Sequence, residues 1–332
     1  MRANVAGRLL QHYVDNCRTL PWRSPSGFPA PDPYRVWLSE VMLQQTTVAA
    51  VTPRFERFIA RWPTIEALAA APDHDVLSEW AGLGYYARAR NLIACAREVS
   101  RRGGFPDTEA ELRKLPGIGE YTAAAIAAIA FGRRAVVIDA NVERIAARLQ
   151  GLEFPSKADL HAAVGAMTPA DGAGDFAQAM MDLGATICRP RDPKCGKCPL
   201  AECCKACASG RPERFPAARS RQAKPVRYGV AYWIESDRSV WLVRRPSRGL
   251  LGGMAALPGP EWSSEKVEAA DVLASVRHVF THFALELSVV ASADVPEDGW
   301  WQPIASLPDA GLPTLYRRGV DAVLSARVKI AA

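Results

Sequence analysis

Leu115-Pro-Gly-Ile-Gly119, followed by Glu120 and an Ala-rich run from Tyr121 to Ala130, decides how the chain reads. Two glycines two apart allow a tight turn, and the apolar residues beyond them recur at helical spacing. The turn therefore opens onto a helix N-terminus, where backbone N–H groups are unsatisfied and the dipole favours an anion. A phosphate oxygen fits such a place, with Gly117 and Gly119 as the residues against the backbone. A Gly-x-Gly alone is more often an ordinary turn between packed helices, so the surroundings carry the weight.

About twenty residues on, Val136-Val-Ile-Asp139-Ala-Asn141-Val142 sets an Asp between an apolar run and a helix start. Taken in isolation that Asp is a helix cap. Farther along stand Cys188, Cys195, Cys198 and Cys204, with gaps of six, two and five residues. Four thiolates so spaced can converge on one centre, as in iron–sulfur clusters and structural zinc sites. Two disulfides are the weaker reading, because nothing else suggests secretion. Cys203 could replace Cys204 with one residue less of slack, and Cys207 lies close by. Arg189, Arg191, Lys194 and Lys197 fall inside the loop, so a metal-pinned edge bearing four cations would bind phosphate.

Apolar residues at three-to-four spacing predict helices over Val36 to Ala50, Ala87 to Ser100, Tyr121 to Ala130, Val142 to Gln150 and Phe176 to Ile187. Ser39 is placed to cap a helix that turns Glu40 inward among Val36, Val41 and Leu43. Such surroundings would raise a carboxyl's pKa; the plainer alternative is a Glu in a capped first turn. From Arg211 to Tyr228 the chain is Pro-containing and basic, with the single acid Glu213, and reads as a linker. Beyond it Val230 to Ile234, Val240 to Val243 and Val276 to Val290 read as strands, and Leu315 to Val328 as a closing helix. The expected organisation is a helical domain over 1–210, a basic linker over 211–226 and a smaller α+β domain over 227–332.

The chain has 332 residues, enough for about two domains. A hydrophobic content of 49% and a charged content of 23% are ordinary globular values that allow a sizeable core. The net charge of +6 leans weakly towards a polyanionic partner. Residues 1–10 hold no apolar run long enough for a signal peptide, and no stretch reaches about 18 apolar residues. A cytosolic protein without a membrane partner is expected.

The hairpin, the Asp and the cysteine loop, in that order, resemble the helix-hairpin-helix, Gly/Pro and Asp superfamily of base-excision DNA glycosylases, in its iron–sulfur branch with endonuclease III. Three further stretches resemble the MutY-type adenine DNA glycosylases: Leu20-Pro-Trp-Arg23, Trp37-Leu-Ser-Glu-Val-Met-Leu-Gln-Gln-Thr46 and Gly82-Leu-Gly-Tyr-Tyr-Ala-Arg-Ala-Arg-Asn91. The match covers about 15–205. It implies a mainly helical catalytic region of two subdomains, a 4Fe-4S cluster on Cys188, Cys195, Cys198 and Cys204, and a monomer acting on duplex DNA with A:8-oxoguanine or A:G mispairs.

The resemblance also implies roles. Glu40, neutral in its pocket, would protonate the flipped adenine. Asp139 would stabilise the sugar cation, and Asn141 and Tyr121 would help position it and the water. Trp22, Arg23 and Gln178 would line the adenine pocket, and Gln44 with Tyr85 would sit in the duplex beside the opposing base; Tyr86 reads as core. Bifunctional members place a lysine two residues after the last hairpin glycine. Here that residue is Tyr121, so a monofunctional glycosylase is expected. The alternatives are a bifunctional glycosylase/lyase like endonuclease III, and a non-enzymatic iron–sulfur DNA-binding protein.

The C-terminal region resembles a Nudix fold through Val240-Trp-Leu-Val-Arg-Arg245, Gly249-Leu-Leu-Gly-Gly253 and Leu257-Pro258. No Arg-Glu-x-x-Glu-Glu run lies between Leu257 and Val279, so pyrophosphohydrolase activity is not expected. Phe280-Thr281-His282 sits where the family has a Phe-Ser-His element contacting 8-oxoguanine. Thr281 keeps that element's hydroxyl.

Overall fold

The computed structural model describes residues 4–25, 28–217, 223–246, 249–266 and 270–330. Contacts divide the chain into two units: Met1–Ala70 with Ala94–Ser220, and Ala71–Ile93 with Arg221–Ala332. Part of the basic linker expectation, 218–222, lies outside the described residues. The helices before it are α1 (Val5–Asn16), α2 (Pro33–Leu43), α3 (Val48–Arg61), α4 (Ile65–Ala70), α5 (Asp73–Trp80), α6 (Ala87–Arg102), α7 (Glu109–Leu112), α8 (Glu120–Phe131), α9 (Ala140–Gln150), α10 (Lys157–Met167), α11 (Ala173–Thr186) and α12 (Lys205–Ala208). All but α5 and the start of α6 belong to the first unit.

α8 is the axis of that unit. Every residue from Thr122 to Ala130 is buried, so the helix is apolar all round, as a core helix must be. Its alanines let neighbours come close, and α2, α7 and α11 pack on it. A Cβ on Gly174 of α11 would lie 2.6 Å from the Ala128 carbonyl oxygen, so only glycine permits that approach. α8 ends where Gly132 takes a left-handed φ of 64°, with Arg133 N–H reaching back to the Ala127 carbonyl at 2.9 Å. That is the Schellman closure, which glycine allows without a Cβ clash.

Two expectations are corrected here. The helix expected over Val36 to Ala50 is two helices, and Ser39 is not a cap. α2 begins earlier, because Asp32 accepts from Tyr34 N–H at 2.7 Å and Pro33 has the fixed φ suited to a first turn. Ser39 lies mid-helix and donates to the Val36 carbonyl at 2.8 Å. The chain breaks after Leu43, Gln45 takes a φ of 57°, and Thr47 caps α3 by accepting from Ala50 N–H. The apolar periodicity runs on across the break, which is why it hid the turn.

The second unit carries β1 (Val226–Trp233), β2 (Glu235–Ser236), β3 (Ser239–Arg244), β4 (Ala255–Ala256), β5 (Val272–Val279), β6 (Ala284–Ala291), β7 (Trp300–Pro303) and α13 (Thr314–Ile330). One sheet has the order β1-β6-β5, with β1 parallel and β5 antiparallel to β6. In the other, β3 pairs antiparallel with β2, β4 and β7. The core holds Trp233, Val240, Leu242, Leu285, Leu287 and Leu315. The span Val276 to Val290 resolves into a hairpin, closed by Phe280 N–H donating to the Phe283 carbonyl at 2.8 Å. Thr281 and His282 are therefore exposed at a turn rather than set in a strand. Arg90, on α6, donates to the Gly252 carbonyl at 2.7 Å and so ties the 71–93 segment to the glycine-rich turn.

Gly174→Ala should lower stability by about 1–3 kcal/mol, since the added methyl must push α11 off α8. Urea unfolding followed by circular dichroism measures it, and an unchanged midpoint would show that the two helices can part at no cost.

Candidate active site

Glu40 is buried on α2, facing the first turn of α8, and its Oε2 accepts a 2.7 Å hydrogen bond from the Tyr121 hydroxyl. Burial raises its pKa most, the Tyr121 bond lowers it, nearby Asp139 raises it and Arg23 lowers it. The balance lies at about 7. Tyr121 is itself pushed well above its usual value by burial and by the two carboxylates, so its proton stays on the phenol. A carboxyl that holds a proton near neutrality beside a second carboxylate is the arrangement expected of an acid and its charged partner.

Asp139 serves two ends at once. Its Oδ1 accepts from Val142 N–H at 2.7 Å and caps α9, while Oδ2 accepts from Asn141 Nδ2 at 2.9 Å. The cap and the site are the same feature, because the cap fixes how the carboxylate is turned at the edge of the cleft. Glu40, Tyr121, Asp139, Asn141 and Gln44 share one cleft of about 770 Å³ with the hairpin glycines Gly117 and Gly119. Gly117 takes a φ of 73° and requires the glycine; Gly119 is extended and forms the uncapped start of α8. Gln44 donates to the Thr122 hydroxyl at 3.2 Å.

Glu40 also borders a recess lined by Trp22, Arg23, Ser39 and Gln178. At about 50 Å³ the recess has room for a water or two, so a base enters only as side chains shift. Behind it lies a buried ion-pair cluster that the sequence reading missed. Asp182 takes both arms of Arg23 at 2.8 and 2.9 Å, and also Arg18 Nε at 2.7 Å and Arg18 N–H at 3.0 Å. Burial alone would raise the Asp182 carboxyl, but the Arg23 and Arg18 contacts outweigh it and hold it low. The available signal was spacing: Asp182 follows Gln178 by four residues, on the same helix face.

Cys188, Cys195, Cys198, Cys204 and Cys207 line one cavity with Arg148. Cys203 is not among its lining residues; its thiol donates to the Leu200 carbonyl at 3.2 Å. Among the described residues no three or more side chains are drawn into a metal-ligand shell, so the sulfurs face a common space without meeting in it. Burial pushes the Cys198 thiol up to about 11 and raises Cys195 and Cys204 as well, and the neighbouring thiols add to this. Soft donors that resist ionisation alone and crowd each other suit a multivalent soft cation, and the donor set fits a four-thiolate cluster.

Two arginines of α9, also missed from sequence, brace that loop. Arg148 is buried and donates to Cys188 Sγ at 3.3 Å and to the carbonyls of Arg189, Pro190 and Phe215. Arg144 donates to Asn141 Oδ1 at 2.8 Å and to the Cys188 carbonyl at 2.8 Å. Hydrogen bonds thus run unbroken from Asp139 through Asn141 and Arg144 to the loop. Of the expected phosphate contacts, Arg189 pairs with Asp192 at 2.6 Å and Arg191 is exposed. Lys194 lines a separate cavity of about 320 Å³ with Lys197, His12 and Asn16.

In the second unit the exposed Tyr85 meets the Phe280–His282 turn, its hydroxyl accepting from Thr281 Oγ1 at 3.3 Å. Phe280 stacks on Trp262 at 5.5 Å and His282 is exposed. Tyr86 is buried.

These features define a helix-hairpin-helix glycosylase, and the comparisons agree. Residues 38–167 match the model of the HhH-GPD superfamily base excision DNA repair proteins, and residues 229–322 match a NUDIX domain model. An adenine DNA glycosylase of Buchnera aphidicola subsp. Acyrthosiphon pisum (strain APS) is 32% identical over 300 residues, covering 85% of this chain and 84% of that protein. The adenine DNA glycosylase of Mycobacterium tuberculosis (strain CDC 1551 / Oshkosh) is 40% identical over 220 residues, covering 64% and 71%. The structure of a thermostable thymine-DNA glycosylase, 30% identical, superposes with a TM-score of 0.55 over 61% of this chain and 95% of that one. A non-covalent endonuclease III–DNA complex, 22% identical, shares the fold with a TM-score of 0.52, covering 62% of this chain and 94% of that chain. The chain belongs to the adenine DNA glycosylases, base-excision repair hydrolases that act on N-glycosyl bonds. Among the described residues no helix is long and apolar enough to cross a membrane.

Because the folded state raises the Glu40 pKa from 4.5 to about 7, it favours the neutral carboxyl. The associated stability is complete below the ordinary value and is lost as pH rises through about 7. Glu40→Gln should remove this dependence, melting above the native protein at pH 8 and approaching it at pH 4. Parallel melting curves across that range would refute the raised pKa.

Proposed function

We propose that the chain is a monofunctional glycosylase that removes adenine opposite 8-oxoguanine or guanine in duplex DNA. The observation that carries the reading is Glu40: a buried carboxyl, poised near neutrality, in the same cleft as Asp139 and the hairpin. Adenine leaves the stack and enters the recess beside Glu40, at a cost of a few kcal/mol in lost stacking and pairing. Adenine is a poor leaving group until protonated, and Glu40 delivers its proton to N7. The sugar becomes oxocarbenium-like, as in glycoside hydrolysis with paired carboxyls.

Asp139 lies against that cation, its carboxylate held in orientation by the cap and by Asn141. The phenol of Tyr121 holds the Glu40 carboxyl by one oxygen and leaves the other to face the base. Trp22, Arg23 and Gln178 line the base recess. Gln44 and Tyr85 enter the duplex by the opposing base, where stacking on an aromatic ring stabilises the gap. Phe280, Thr281 and His282 read the oxidised guanine, a role supported by the Thr281–Tyr85 contact. Gly117, Gly119, Arg189, Arg191 and Lys194 contact phosphates.

A 4Fe-4S cluster is proposed on Cys188, Cys195, Cys198 and Cys204. Cys204 is favoured over Cys203 because its side chain lines the shared cavity. When bound, the cluster supplies a rigid fold for the cationic loop, since hydrolysis transfers no electrons. The working species is taken as a monomer, over domains 1–210 and 227–332 joined by 211–226.

Two tests decide between this reading and its alternatives. Native protein on A:8-oxoguanine duplex should give strand breaks only after alkali or heat, and borohydride should trap no covalent adduct. Glu40→Gln should bind the duplex yet excise at least ~10²-fold more slowly, the scale of general acid catalysis. Efficient trapping would mean that a lysine forms a Schiff base, and near-normal excision by the variant would remove Glu40 from its role. For the metal, anaerobically purified protein should be brown with four irons, and Cys198→Ser should lose colour and DNA affinity together. Stoichiometric zinc without iron would end the cluster assignment.

A further inference from the structure

Tyr85 stands in a conformation that L residues disfavour, with a φ of 48°, and the residue is 47% exposed. It follows Gly82 and Gly84, whose φ values of 95° and 69° make the turn before α6. A bulky residue so placed persists only where the surroundings over-determine it. The surroundings here are Arg88, one turn into α6. Its Nη2 donates to the carbonyls of Leu83 at 2.9 Å and Gly84 at 3.4 Å. Its guanidinium lies 5.5 Å from the Tyr85 ring centroid and 5.2 Å from that of Trp80. Trp80 Nε1 donates to the same Gly84 carbonyl at 3.0 Å.

We propose that Arg88 is the positioning residue for Tyr85: it ties down the carbonyls of the Leu83–Gly84 turn and backs the phenol ring, so that the ring is preset to enter the duplex. The proposal rests on the reading of Tyr85 as the residue that enters beside the opposing base. A guanidinium suits the place because a flat, delocalised cation can lie against two rings while its Nη2 reaches both carbonyls, whereas a lysine ammonium is a point charge on a flexible stem that is not held in that geometry. Burial lowers the Arg88 pKa only to about 10, so the group remains a cation at neutral pH and keeps its attraction to both ring faces. Pre-setting matters because ordering an exposed aromatic at the moment of binding would subtract from the stacking it brings.

The test is a double-mutant cycle between Arg88→Lys and Tyr85→Ala in the full chain. It is read as single-turnover adenine excision, duplex affinity and the fluorescence of 2-aminopurine placed beside 8-oxoguanine. Arg88→Lys should slow excision from A:8-oxoguanine by roughly 10-fold, the scale of a lost charge-assisted contact, and blunt the fluorescence change. In the Tyr85→Ala background the same substitution should have no further effect. Arg88→Gln, checked by its melting curve, provides the second variant if the lysine form does not fold. If Tyr85→Ala is impaired while Arg88→Lys is silent, or if the two losses simply multiply, Arg88 does not act through Tyr85. If Tyr85→Ala is itself silent, the duplex-entry reading fails and the proposal falls with it.

Discussion

The hydrogen bond from the Tyr121 hydroxyl to Oε2 of Glu40 joins the two helices on which the site is built. It can exist only because α8 is thin. A run of alanines brings its backbone close to α2, so a phenol in the first turn of α8 reaches a carboxyl on the far helix. The bond holds Glu40 in place and opposes the rise that burial imposes, leaving the group near neutrality rather than locked as an acid. The same closeness is needed on the other side. A Cβ at Gly184 of α11 would strike Asn141 at 2.4 Å, so the residue that steadies Asp139 also depends on a helix that has been pared down.

Much of this was legible in the sequence, and the reasons differ from residue to residue. Tyr121, Asp139 and the cysteines are local signals: a hairpin, a cap and a spacing, each within one short stretch. Glu40 could be placed facing inward from its apolar neighbours, although its helix begins at Pro33 and is capped by Asp32 rather than Ser39. What could not be read were partnerships across long separations. Asp182 with Arg18 and Arg23, and Arg148 with the cysteine loop, join residues about 160 and 40 apart. In sequence an arginine on an amphipathic helix looks like a solvated face. Only the fold shows that Arg148 is buried.

The cysteine loop illustrates how a flexible stretch is given shape. Its own secondary structure amounts to two short 3-10 turns and the four-residue α12, too little to hold five sulfurs in one place. Arg148 supplies what is missing by bonding two loop carbonyls, one loop sulfur and the Phe215 carbonyl beyond the loop from a single guanidinium. A buried cation is tolerable here because each of its three nitrogens meets an acceptor carrying partial negative charge.

The cation–anion count around Glu40 has a consequence of its own. Arg18 and Arg23 both pair with Asp182, while the carboxyls of Asp139 and Glu120 border the cleft beside Glu40. On the proposed mechanism, the loss of the Glu40 proton adds one negative charge to the cleft at the moment the sugar acquires positive charge. The event that breaks the bond thus also creates the negative charge that attracts the cation it leaves behind.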